Sequence, residues 1–326
     1  MKHSHLSLVS AAGLIVFAGC GQLSPTANSA NDPAARYASP TGVQSEAQTM
    51  PDEFETSTYE DGAQAKPDMA DPTFALGAQT DAAITPAFWF RLIRRHDRKF
   101  VIELEHPDTM TVIARVKVTD RLVGTFNVIT KPDTIDNGVT ERSWIRKPLA
   151  DTGVKKAVFE RHRVDDRDAA GADEDRADGF RDGWSRWRLV ALSGHEVTSD
   201  GGTRTIQSVR LQAGALDLTV TDPLALVRRA DLPRIAPGTP VHVTATTGDP
   251  GDVVILYARW GRMRMRPGTV AGTFEGRFLA PGGDGLRHLA VNALSHGTLY
   301  DDRLPYDSKA WGIPFVVGAT AIAAQP

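Results

Sequence analysis

The stretch Thr85-Pro86-Ala87-Phe88-Trp89-Phe90-Arg91-Leu92-Ile93-Arg94-Arg95-His96 decides the fold class, because it opens the folded part of the chain and reads in two ways. Threonine is a good helix N-cap, and proline suits the first helical position. Phe88, Trp89, Leu92 and Ile93 recur at i, i+1, i+4 and i+5, which is one face of a helix. Arg91, Arg94, Arg95 and Arg98 take the wetter side and the C-terminal end, where cations suit the helix dipole. This pattern predicts a short aromatic helix over 85–96. Phe88, Phe90 and Leu92 also alternate, so the same residues admit a strand.

Downstream of it, period-2 patterns dominate. Phe100, Ile102 and Leu104 alternate with Val101, Glu103 and Glu105, and Val112, Ala114, Val116 and Val118 with Ile113, Arg115 and Lys117. Similar runs follow at 126–130, 157–162 and 187–192. Such alternation marks half-buried antiparallel strands. One helix and about five strands predict an α+β domain over 85–204, the helix lying across a curved antiparallel sheet. That order, with the run Trp187-Arg188-Leu189-Val190-Ala191-Leu192-Ser193-Gly194, loosely resembles cystatin-like folds and the cone-shaped fold of nuclear-transport-factor-like proteins. The resemblance implies a layered architecture and carries no functional residue with it.

From about Thr205 the pattern is purely β. Candidate strands fall at 206–212, 216–221, 241–247, 253–260, 263–266, 273–280, 288–295 and 311–317. Turn sequences separate them, among them Asp249-Pro250-Gly251, Arg266-Pro267-Gly268 and Pro281-Gly282-Gly283-Asp284-Gly285. Short strands at this spacing predict an all-β sandwich over 205–318, followed by a tail at 319–326. Val241, Val243 and Ala245 are expected to face Ile255 and Tyr257 across its interior, with Phe274, Phe278 and Val291 between. The region resembles immunoglobulin-like and fibronectin-like modules. It lacks the cysteine pair and core tryptophan spacing of true immunoglobulin domains, so the resemblance implies architecture only.

Upstream lie a leader and a leash. Lys2 gives a positive start, and 6–17 is almost wholly apolar or small. That run is about a dozen residues, whereas a spanning helix needs roughly 20. It ends in Phe17-Ala18-Gly19-Cys20, which resembles the lipobox of bacterial lipoproteins, usually Leu-(Ala/Ser)-(Gly/Ala)-Cys. Phe17 departs from the usual leucine. The resemblance implies a signal peptide over 1–19 and diacylglycerol and palmitate-type acylation of Cys20. It also implies a lipid-anchored place in the cell envelope. Gly21, where an aspartate favours inner-membrane retention, points to the outer membrane. Cys20 is the single cysteine among 326 residues, so no internal disulfide can form. Over 20–84, ten carboxylates stand against two bases and aliphatic residues are sparse. That composition predicts a disordered acidic tether with a mean span of roughly 40–50 Å. The rest of the chain is slightly basic, while the whole carries a formal charge of -3. Nucleic acid is not expected as a partner outside the cell.

No catalytic motif stands out. The histidines are scattered, and Ser193-Gly194-His195 lacks both a third partner and the glycine that a nucleophile elbow places two residues before its serine. No P-loop or dinucleotide fingerprint occurs, and no cofactor is implied. The acids Asp165, Asp166, Asp168, Asp173, Glu174, Asp175, Asp178 and Asp182 suggest calcium, but Ala177 stands where an EF-hand's fifth ligand belongs, and four arginines interleave. A solvated loop is the simpler reading. Arg262, Arg264 and Arg266 around Trp260, Met263 and Met265 suggest a ligand surface for an anionic glycan, or an edge strand guarded by charge. The expectation is a non-catalytic envelope protein of binding or assembly type, with a glycan or protein partner. The alternative is a small-molecule-binding or hydrolytic domain whose pocket is lined by Phe88, Trp89 and Trp144, with Arg115 or His162.

Overall fold

The computed structural model describes residues 13–16, 43–44, 84, 86–130, 133–134, 140–141, 144–163, 184–258 and 261–318. Cys20, most of the leash, the acidic insertion from Asp165 to Asp182, Trp260 and the tail lie outside the described residues.

The predicted helix at 85–96 is a strand. β2 runs unbroken from Pro86 to Glu105. Three consecutive aromatics favour a pleated surface over a helix, and the partner strand decides between the two readings. β3 (Thr111–Thr130) pairs with β2 along nearly its whole length, setting Trp89 beside Val128 and Arg91 beside Phe126. The first domain is therefore not α+β. β6 (Trp144–His162) pairs with β3 in turn. Strands of 20 residues are about 66 Å long. β1 (Gly13–Val16), inside the leader-like run, lies antiparallel on the β2 edge, from Gly13 opposite Leu104 to Val16 opposite Val101.

The remaining strands are β4 (Asp133–Thr134), β5 (Thr140–Glu141), β7 (Arg188–Ser199), β8 (Ile206–Ala213), β9 (Leu216–Val220), β10 (Val227–Arg228), β11 (Arg234–Ile235), β12 (Pro240–Thr247), β13 (Val253–Ala258), β14 (Gly261–Arg264), β15 (Arg266–Pro267), β16 (Thr273–Leu279), β17 (Gly285–Leu294) and β18 (Ser308–Val317). One large sheet has the order β1-β2-β3-β6-β7-β18-β17-β13-β14, with β10 added to β7 and β11 to β18. A second has the order β15-β16-β12-β8-β9. Pairing is antiparallel except between β11 and β18. The chain passes from the first sheet to the second at Met265, between β14 and β15.

The two sheets face each other over a continuous apolar core, and this part is a β-sandwich. Val209, Leu211, Val241, Val243, Ala245 and Phe274 meet Val254, Leu256, Val291, Trp311, Ile313 and Phe315 there. Ile255 and Tyr257, expected in this interior, face the other way, and Val254 and Leu256 take their places. All six residues of β13 are buried, because apolar cores lie on both of its faces.

The second core explains how the large sheet bends. Trp89, Phe126, Val128 and Leu149 on the long strands pack with Val253, Ile255, Tyr257, Ala290 and Leu294. β2 and β13 are far apart in strand order, so the sheet must curl until its two wings share an inner face. The connection from β17 to β18 crosses this face, carrying α1 (His296–Tyr300) and contributing Leu299 and Tyr306. The tight curl needs small residues. A side chain on Gly194 would overlap the Gly312 carbonyl, and one on Gly124 the Leu92 carbonyl beside the β2 bulge.

Position 204 is not a seam between domains. β7 pairs with β18, from His195 opposite Gly312 to Thr198 opposite Lys309, so one sheet spans the expected boundary. The far halves of the long strands carry a third cluster, including Phe100, Ile102, Val116, Val118 and Phe159. Val43 belongs to it and is fully buried. At that residue, a segment expected to be free leash is docked on the fold.

Candidate functional site

The three aromatics expected to line a pocket are divided by strand alternation. Trp89 points to the inner face, where its ring lies 5.2 Å from Phe126. Phe88 and Trp144 lie on the outer face, flanking Ile129 in one row of the pairing. Arg115 is 14 residues further along β3 from that row, or about 46 Å. It is engaged with Glu105 at 2.7 Å. His162, beside Glu160 at 2.8 Å, is at the same far end. These residues form no common pocket.

The inner face instead holds a buried ionic network. The Arg91 guanidinium, 6 % exposed, donates to the Tyr306 hydroxyl at 3.1 Å and lies 5.5 Å from the Trp89 ring centre and 5.9 Å from that of Phe126. Tyr306 donates to Asp151 Oδ2 at 3.0 Å. Arg91 also reaches Ser308, whose hydroxyl donates to Asn292 Oδ1 at 2.8 Å. Burial pushes the Asp151 carboxyl up to about 6, opposed by the Arg91 charge and the Tyr306 hydrogen bond. Its Oδ1 has no hydrogen-bond partner among the described residues. Burial also raises the Tyr306 hydroxyl above its ordinary value. The network joins β2, β6, β17, β18 and the connection across the inner face. Lys147 works alongside it, donating to the carbonyls of Gly297 at 2.7 Å and Asp301 at 2.5 Å. A cation there complements the carbonyl end of α1, where the Gly297 carbonyl also accepts from the Asp301 amide at 3.3 Å, while burial pulls the lysine down to about 8.

The Ser193-Gly194-His195 run serves the backbone. The Ser193 hydroxyl accepts from the Lys156 amide at 2.8 Å and donates to the Gly194 carbonyl at 2.6 Å. His195 is wholly buried, which pushes it down to about 3 and keeps it neutral. No group of three or more metal-ligating side chains converges among the described residues.

The basic ribbon does not form one surface. Arg262 and Arg264 pair beside Tyr257 and Ile255, on the inner-face side of β14. The Arg262 guanidinium is 5.5 Å from the Tyr257 ring centre, and Arg264 donates to the Tyr300 hydroxyl at 3.0 Å. Arg266 belongs to the other sheet, opposite Glu275. Met265 is buried in the sandwich core, but Met263 is 38 % exposed.

A feature missed in the sequence is an aromatic patch on the outer face of β2, β3 and β6. Successive rows are Phe88, Ile129, Trp144; then Phe90, Asn127, Arg146; then Leu92, Thr125, Pro148. Phe88 and Phe90 stack at 6.4 Å, and Trp144 meets Phe90 edge-on at 6.0 Å. Arg146 lies 5.7 Å from the Trp144 ring centre. Trp144 is 54 % exposed and Leu92 47 %. Val123 extends the patch, and exposed Arg94 stands beside it. No carboxylate occurs in the three rows. The alternation of Phe88, Phe90 and Leu92 was the available signal, had the strand reading been preferred.

No family model, curated protein or solved structure matches this chain.

Proposed function

We propose that the protein is a non-catalytic, lipid-anchored component of the bacterial cell envelope that works by binding. In this reading Cys20 carries diacylglycerol and a further acyl chain. The folded body, akin in part to immunoglobulin-like envelope modules, is held at the outer membrane. The exposed aromatic and arginine face of β2, β3 and β6 is the observation that carries the binding half. A monomer rarely leaves a contiguous apolar face in water unless the face is used. The reading is supported by the side chains that could have done chemistry. Ser193, Asp151 and Tyr306 are engaged in internal hydrogen bonds, and His195 is buried. The leader-like run ending at Cys20 supports the anchor. Cys20→Ser is expected to move the protein from the membrane fraction to the soluble fraction and to abolish palmitate labelling. A variant that stays membrane-bound with unchanged labelling sinks the anchor.

A further inference from the structure

We infer that the outer face built by Phe88, Phe90, Leu92, Trp144 and Arg146 docks the folded body on a lipid bilayer surface that bears anionic headgroups. The inference deepens the envelope reading, on which it rests for the nearness of a membrane; the docking itself rests on the chemistry of the face.

Two observations favour a bilayer as occupant. The first is the mixture of side chains. Trp144 and Leu92 are about half exposed, and Phe88 and Phe90 lie beside them in the same pleat. Aromatic side chains with an apolar body and a polar edge partition to the headgroup level of membranes. The second is charge. Arg146 is exposed at the face, exposed Arg94 sits at the β2 bulge just beyond its third row, and no carboxylate stands among the nine residues of the three rows. An arginine held near a tryptophan ring can stay with the headgroups while the ring enters the interface. Such a face is complementary to phosphate-rich headgroups, and the carboxylate at its border, Asp97, is paired at 2.6 Å with Arg95 opposite Val123.

The test is site-specific and uses the full chain. Trp144 emission is isolated as the difference between the protein and its Trp144→Phe variant. It is recorded with vesicles of mixed phosphatidylglycerol and phosphatidylcholine, with and without brominated acyl chains. Bromine quenches only a ring that enters the bilayer, so attachment by the N-terminus alone leaves the Trp144 component untouched. The expected result is loss of most of that component with brominated vesicles, and recovery in pure phosphatidylcholine or high salt. Arg146→Ala should weaken docking about fivefold, the weight of one arginine at an anionic surface. Leu92→Ser should weaken it without changing the melting temperature, since Leu92 is exposed. A Trp144 component of equal intensity with both kinds of vesicle overturns the inference and leaves the face to a protein partner. Quenching that persists unchanged in Arg146→Ala and high salt overturns the headgroup part. Palmitate labelling of Cys20 is scored separately, so an unlipidated chain whose Trp144 is quenched would sink the anchor and keep the face.

Discussion

Replacing Asp151 by Asn isolates the cost of holding a carboxyl inside the curled sheet. The side chain is 1 % exposed, with one hydrogen bond from Tyr306 and one oxygen without a partner among the described residues. Its carboxyl is raised from 3.8 to about 6 in the folded protein. At about 1.36 kcal/mol per pH unit, that difference amounts to about 3 kcal/mol. The sign follows from proton binding. Well below pH 4 both states hold the proton and the group costs nothing. Between about 4 and 6 the unfolded chain has released it and the folded chain has not, so stability falls as pH rises, and above 6 the cost is complete. Asparagine can still accept from Tyr306 and has no such titration. Urea unfolding of both proteins at pH 4, 5, 6 and 7.5 measures the difference, and titrations elsewhere in the fold cancel from it. The variant should gain about 2.4 kcal/mol on the parent between pH 4 and pH 7.5, because the unfolded carboxyl is already partly ionised at pH 4. A difference that is flat with pH would refute the raised carboxyl. One that turns against the variant as pH rises would show that Arg91 holds the carboxylate ionised.

Two further substitutions test the packing. Phe274, 1 % exposed in the sandwich core, should cost about 3–5 kcal/mol when cut to alanine. Phe278, only partly buried and 6.3 Å from Phe315, should cost clearly less by the same denaturation assay; equal losses would mean that the β16 register is wrong. Val43→Asp should forfeit the roughly 1.5–3 kcal/mol that a buried valine contributes. It should also speed proteolysis between residues 44 and 84, and digestion at the parent rate would mean that the leash does not hold at Val43.

The strands of the sandwich were legible because most bury one face. In β12, Val241, Val243 and Ala245 are buried and alternate with residues that are not, and the expected strand matches to within a residue. β13 was found but turned over, because Val253 to Ala258 is apolar throughout and a strand covered on both faces has no alternation to read. The 85–96 stretch failed for a related reason. Its inner face carries Arg91 between Trp89 and Ile93, so a buried charge interrupts the apolar period. The partners that make this tolerable, Tyr306 and Ser308, lie 215 and 217 residues away. Its outer face carries half-buried Phe88 and Phe90 and exposed Leu92 where polar residues were expected. The candidate pocket failed with it, since Phe88 and Trp89 are sequence neighbours that a strand sends to opposite sides. Val43 left no signal, being one aliphatic residue in a polar stretch. Cys20 and the acidic insertion were read from local motifs and remain expectations.

The pairing of β7 with β18 also constrains the time course of folding. Thr198 and Lys309 are joined across 111 residues, so the centre of the large sheet cannot close before nearly the whole chain is made. The hairpins of β2, β3 and β6 are local and can zip early, but their inner face then waits for β13, β17 and Tyr306 to arrive. Contacts of such sequence separation slow folding, and during the delay a long ribbon presents Trp89, Phe126, Val128 and Leu149 uncovered. A chain built this way is expected to need protection from aggregation while it folds, and to show its slowest refolding phase in the fluorescence of Trp89.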